Sequence, residues 1–326
     1  MSFFKNRKKG ITNIINIREL SILGVAIVLF IALSLATPYF LTLENLLLVG
    51  RQISILAILA TGMTFLFISK EIDLSVGSIY GFLAIILAYF ITRTSINPWI
   101  ALVIIVIFGA IIGFINCFFT TFFRMPSFIV TLGMLSILRG GALLISGAWP
   151  INVYLPIDHS FPMITSGKLG GIVPTQIFWM IAVVAIASFV LRKTRFGAHV
   201  YSTGGNEEAA KLTGISVKKI KIISFVITGA LCGIGSGLLV GQVGSAFPLA
   251  GEGLELNVIA AVVIGGTQLF GGRGTIIGTL IGAAIMGMIS NGLVLLGVSS
   301  HLEPVAEGSI IVLAVLLHTL TRRERS

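Results

Sequence analysis

Gly204-Gly205-Asn206-Glu207-Glu208-Ala209-Ala210-Lys211-Leu212-Thr213-Gly214 stands between two apolar runs, 173–191 and 221–243, each long enough to cross a bilayer. The stretch carries its own start and stop signals. Asn206 has the chemistry of an N-cap, because its side-chain oxygen can accept a free backbone N–H of a first helical turn. Glu207 and Glu208 put negative charge at the positive end of the helix dipole, and Gly214 can adopt the left-handed conformation that stops a helix. Between these ends, Ala209, Ala210 and Leu212 form a small apolar face that suits a shallow groove. The pattern predicts a short capped helix on a basic loop, offered to a soluble partner from between membrane spans. A plain connector joining the same two spans is the other reading of these residues.

Working outward, composition places the rest of the chain in the membrane. It is 56% hydrophobic, with mean hydropathy +1.06 and only 10% charged residues. Apolar stretches of roughly 20 residues recur from Leu20 to Leu320. They read as about ten spans: 20–40, 46–69, 74–92, 98–123, 126–147, 173–191, 221–243, 256–270, 275–296 and 302–320. The expected fold is therefore all-α, a polytopic transmembrane helical bundle. Its parts are a basic arm at 1–19, one transmembrane domain at 20–320 with a loop at 192–221, and a tail at 321–326.

The net charge of +10 belongs to topology rather than to nucleic acid. With both termini cytoplasmic, one side receives Lys5, Arg7, Lys8, Lys9, Arg18, Lys70, Arg124 and Arg273. It also receives the cluster from Arg192 to Lys221 and the tail at Arg322, Arg323 and Arg325. Of the 22 basic residues only Arg93 and Lys168 fall outside, while Arg51 and Arg139 lie within spans. Lys8 and Lys9 precede a run too long for a signal-peptide core, so it reads as an uncleaved first helix. Cys117 and Cys232 fall inside spans and imply neither a disulfide framework nor a metal site. Gly109 with Gly113, Gly233 with Gly237 and Gly241, and Gly274 with Gly278 and Gly282 repeat at helical spacing. Such faces let neighbouring backbones approach closely, or let helices slide during transport.

No catalytic constellation is present. The histidines have no metal-ligand spacing, and no nucleophile elbow or phosphate-binding loop occurs, so the chain is not expected to be an enzyme. It needs no cofactor of its own; ATP and magnesium, if used, belong to another chain. Ion-coupled carriers hold buried carboxylates or broken helices. Asp73 is the main such group here, and its place at the start of an apolar run favours reading it as the N-cap of the third span. Arg139 lies deep enough to require a carbonyl or carboxylate partner.

Several segments then carry a resemblance. Arg195-Phe196-Gly197-Ala198-His199-Val200-Tyr201-Ser202-Thr203, running on through Gly204 to Ala210, resembles the cytoplasmic loop of the ribose-type ABC sugar permeases. Ala260-Ala261-Val262-Val263-Ile264-Gly265-Gly266-Thr267, Gly271-Gly272-Arg273-Gly274-Thr275 and Gly278-Thr279-Leu280-Ile281-Gly282 are similar to the same family. So are Ile72-Asp73-Leu74-Ser75-Val76-Gly77-Ser78 and Met125-Pro126-Ser127-Phe128-Ile129-Val130-Thr131-Leu132-Gly133. That family often has Gly-Gly where Lys70-Glu71 stands here.

The resemblance implies a permease subunit of a binding-protein-dependent importer in the bacterial plasma membrane. Its partners would be a cytoplasmic ATPase, an extracytoplasmic sugar-binding protein and a second permease, as homodimer or heterodimer. Residues Gly204, Gly205, Asn206, Glu207, Glu208, Ala209, Ala210, Leu212 and Gly214 would be the coupling helix that sits in the ATPase. A sugar path needs hydroxyl and amide groups on apolar helices. Asn116, Thr131, Ser136, Asn257, Thr267, Gln268 and Asn291 qualify, although each could instead bond a neighbouring helix. Asp158, Glu252 and Glu255, on outer loops, could meet basic residues of the binding protein. The competing function is a self-sufficient secondary sugar carrier driven by an ion gradient.

Overall fold

The computed structural model describes residues 17–94, 96–156 and 158–298, with the isolated positions 302, 305, 308 and 309. Most of the expected arm, the tenth span at 302–320 and the tail lie outside the described residues. Twelve helices appear among them: α1 (Ile17–Ala36), α2 (Leu43–Ile68), α3 (Val76–Arg93), α4 (Pro98–Phe122), α5 (Ser127–Ser146), α6 (Ser160–Ser166), α7 (Thr175–Lys193), α8 (Arg195–Gly205), α9 (Glu207–Leu212), α10 (Val217–Val243), α11 (Leu254–Ile264) and α12 (Ile276–Leu295). Eight of these, α1 to α5, α7, α10 and α12, are long and apolar enough to cross a membrane. Four two-residue strands complete the described chain. β1 (Ile151–Asn152) pairs antiparallel with β4 (Ser245–Ala246), and β2 (Lys168–Leu169) with β3 (Val173–Pro174).

The expected span at 256–270 is a much shorter helix. α11 has 11 residues, roughly 16 Å of rise against the roughly 30 Å of a bilayer core. It stops where Gly265 and Gly266 follow, Gly266 taking φ +81°. The segment before it, 247–253, folds into the bundle and packs its Ala250 and Gly251 carbonyls over Gly81 and Gly77 of α3. Arg139 on α5 holds that segment, donating from Nη1 to the carbonyls of Ala250 at 3.0 Å and Pro248 at 3.3 Å. The deep arginine thus finds the carbonyl partners that its burial demands.

Helix α10 lies at the centre, packed on α4, α3 and α2. The approach of α4 to α10 explains its glycines. A Cβ on Gly109 would overlap the carbonyl of Gly229, one on Gly229 would overlap that of Gly109, and one on Gly113 would overlap that of Phe225. Packing is therefore what these glycines do in this structure. Cys117 and Cys232 are both free and buried, as expected of small apolar fillers.

Contacts near the helix ends fix which loops share a face. Glu19 of α1 accepts from Arg192 of α7 at 3.0 Å and from Oγ1 of Thr275, just before α12, at 2.6 Å. The N–H of Gly272 donates to Ile68 at the end of α2, at 2.9 Å. This end of the bundle also carries α8 and α9. At the opposite end, Val153 donates to the carbonyl of Gly244 at 2.8 Å, and Ser166 Oγ to that of Gly241 at 2.7 Å. Cysteines introduced at exposed Lys168 and Ser202 are thus expected to react with an impermeant thiol reagent from opposite sides of the membrane. The buried native cysteines should leave the background low. Labelling of both positions from one side would overturn this arrangement.

Candidate functional site

Two short helices fold the basic loop against the bundle. α8 starts at Thr194, whose Oγ1 accepts the Gly197 N–H at 3.3 Å. Tyr201 on the same helix donates its hydroxyl to the Gly274 carbonyl at 2.7 Å. The quoted stretch divides between the two helices: Gly204 and Gly205 end α8, and α9 begins beyond Asn206. Gly204 is buried so tightly that a Cβ would overlap the carbonyl oxygen of Ile68 and stand 2.7 Å from the Gly272 nitrogen. It is a packing point rather than an exposed docking surface. Gly205, one residue on, faces open space.

The start and stop chemistry of α9 follows from its sequence. Asn206 Oδ1 accepts the N–H of Ala209 at 3.0 Å, Glu207 and Glu208 occupy the first turn, and Gly214 takes φ +83°. The apolar face needs correction. Ala210 is only 3% exposed and turns into this chain, while Leu212 is 90% exposed. Ala209 and Leu212 sit about 60° apart around the helix, whereas Ala210 lies about 160° from Leu212, on the flank that packs inward. The outward surface of α9 is Glu208, Ala209, Lys211 and Leu212.

An ion-pair chain that the sequence reading did not find runs inward from α9. Lys211 meets Glu207 at 2.8 Å, and Glu207 meets Lys221 of α10 at 3.1 Å. Lys221 in turn meets Glu71, in the α2–α3 connection, at 2.8 Å. The hydrogen bond from Lys211, with the nearby charge of Lys221, holds the Glu207 carboxyl below its ordinary value. That contribution to stability is therefore complete above the ordinary carboxylate range, and is lost as pH falls through the lowered value. The visible clue was the departure from Gly-Gly at Lys70-Glu71. Lys70 takes φ +64°, a conformation that glycine adopts without steric cost and other residues rarely do. Lys70, Glu71, Arg124, Glu207, Lys218 and Lys221 all line one cleft of about 780 Å³ beside α9.

Beyond Glu71 the connection is largely buried and is tied to neighbouring helices by hydrogen bonds. Ile72 donates its N–H to Ser127 Oγ at 3.2 Å, and Leu74 donates to Thr131 Oγ1 at 3.0 Å. Asp73 is fully buried and precedes the N-cap position, which Ser75 holds. Asp73 Oδ1 accepts from the Ser75 N–H at 2.8 Å, and Oδ2 accepts from Asn116 Nδ2 at 3.2 Å. Asn116 lies well over a turn before the end of α4, so α3 begins roughly 9 Å inside the bundle.

The residues considered for a sugar path therefore separate. Asn116 and Thr131 serve the α2–α3 connection, and Asn291 exchanges hydrogen bonds with Asn45 of α2 at 2.8 and 3.1 Å. Ser136 is exposed on α5, Asn257 is half-buried on α11, and Thr267 is buried after α11. Of the outer-loop carboxylates, Asp158 and Glu252 are exposed, whereas Glu255 is half-buried near Arg139, against Gly77. Among the described residues no cluster of metal ligands occurs.

Comparison with known proteins fits this geometry. Residues 45–320 match the family described as branched-chain amino acid transport system / permease component. The chain is 40% identical to the ribose import permease protein RbsC of Escherichia coli strain K12, over 90% of this chain and 91% of that one. It is 39% identical to the probable ABC transporter permease protein YphD of the same strain, over 95% and 92% of the two chains. The L-arabinose ABC transporter permease protein AraH of Azospirillum brasilense is 34% identical, over 97% and 91%.

Proposed function

We propose a transport function from the premise that this chain belongs to the branched-chain amino acid transport system / permease component family. It is the membrane-spanning subunit of an ATP-binding-cassette importer in the bacterial plasma membrane, and it passes a monosaccharide. The choice of a sugar rests on relatives named for ribose and L-arabinose. The observation that carries the coupling role is α9: a capped helix between two spans, with Leu212 bare at its tip. The chain has no phosphate-binding loop of its own, so the ATP and magnesium sites belong to a partner ATPase. On this reading Glu208, Ala209 and Leu212 enter a groove of that ATPase, and the end bearing α8 and α9 is cytoplasmic.

The binding protein delivers sugar at the opposite end, where Asp158 and Glu252 are free to meet basic residues. A second permease copy completes the pathway, because one chain offers one α9 and an ATPase pair offers two grooves. Ser136, exposed on α5, faces that pathway together with half-buried Asn257. The purified permease alone is expected to hydrolyse no ATP. Reconstituted in vesicles with its ATPase and sugar-loaded binding protein, it should hydrolyse ATP faster and accumulate sugar. Accumulation by this chain alone, driven by a proton or sodium gradient, would replace the reading with that of a secondary carrier.

A further inference from the structure

The Lys221 ammonium binds two carboxylates that belong to different parts of the molecule, and their surroundings differ. Glu71 is 7% exposed at its side chain and Lys221 is 13% exposed, whereas Glu207 is 37% exposed. A buried carboxylate has little water to replace its cation, so Glu71 and Lys221 must move together. Glu207 can exchange its bond for water, so its contact is the one that can open and close. The relay therefore has a fixed joint inside and a releasable joint at α9.

Inward of Glu71, every step is also a specified contact. Glu71 donates its N–H to the Leu66 carbonyl at 2.9 Å, near the end of α2. The next residues hang from Ser127 and Thr131 of α5, and Asp73 from Asn116 of α4. The side-chain contacts of this seven-residue connection thus bind α9 to the beginning of α3. No other charged side chain among the described residues bridges α9 to that connection.

We propose that Lys221 is a positioning residue for coupling: it transmits displacement of α9 through Glu71 to the start of α3. The inference rests on the coupling role given to α9 above, and adds the route by which that motion enters the spans. A lysine that merely anchors a loop would affect folding alone. A transmitting lysine sets how much sugar moves for each ATP hydrolysed.

The test uses the complete transporter in lipid vesicles, with ATP hydrolysis and sugar uptake measured on the same preparation. The double variant Glu71→Gln with Lys221→Met removes the buried pair without leaving a single unpaired charge. It should still co-purify with the ATPase, while sugar moved per ATP falls about tenfold. Lys221→Arg, which keeps a cation for both carboxylates, should retain most of the coupling. Glu207→Gln acts on the half-exposed end and leaves the inner pair in place, so it remains informative even if the double variant does not fold. It should also lower the ratio of transport to hydrolysis. An unchanged ratio in Glu207→Gln, or in a folded double variant, overturns the proposal. Absence of ATP-driven uptake with the unmodified chain instead overturns the importer reading itself, so the two failures are distinct.

Discussion

Alanine at Gly204 is expected to destabilise the protein by about 2–4 kcal/mol, the sum of overpacking and a disrupted buried hydrogen bond. The added methyl would overlap the Ile68 carbonyl oxygen, and that oxygen already accepts the Gly272 N–H at 2.9 Å. Neither neighbour can yield cheaply. Both contacts are backbone, Ile68 is fully buried, and Gly204 itself sits in a helix held at its other end by Thr194. The loss should appear as a lower melting temperature in detergent and poorer recovery from the membrane. Gly205→Ala is the matched control, because nothing lies within 4 Å of the Cβ it would add. Equal stability of the two variants would show that α8 does not pack on α2 as described.

Leu212→Asp should have the opposite signature, with stability kept and function lost. At 90% exposure the leucine contributes little to this chain's own packing. If it enters an apolar groove of the ATPase, a carboxylate there weakens association about a hundredfold, equivalent to about 3 kcal/mol. Uptake should fall with it, while the melting temperature of the isolated permease stays unchanged. Ala210→Asp makes an instructive contrast. That residue is 3% exposed inside the permease, so aspartate there should damage folding before docking is tested. Wild-type association of Leu212→Asp with the ATPase would remove α9 from the coupling role.

These contrasts show where local chemistry sufficed. The membrane class follows from composition, because roughly 20 consecutive apolar residues have few stable places outside a bilayer. The start of α9 at Asn206 and its stop at Gly214 depend on backbone groups within a few residues, and are legible for that reason. The glycine spacing on α4 and α10 announces close helix approach, although it does not name the partner.

What escaped the sequence is long-range or depends on facing. α8 was not expected: its glycines at 197, 204 and 205 disguise a helix that owes its stability to packing on Ile68 and Gly274. α11 was expected to be longer, because apolar character continues past Ile264 while the backbone turns at Gly266. Asn116, Thr131 and Asn291 read as path-lining or helix-bonding groups alike until their partners Asp73, Leu74 and Asn45 are brought alongside. Residues 71, 207 and 221 form a chain only because α9 lies over the start of α10 beside the α2–α3 connection. Sequence by itself determined the solvent each segment seeks and the caps that begin and end α9, since these are properties of neighbouring residues. Tertiary structure alone decided which polar groups are consumed in holding the bundle together, since a hydrogen bond or ion pair in the interior requires a partner that only the fold can deliver.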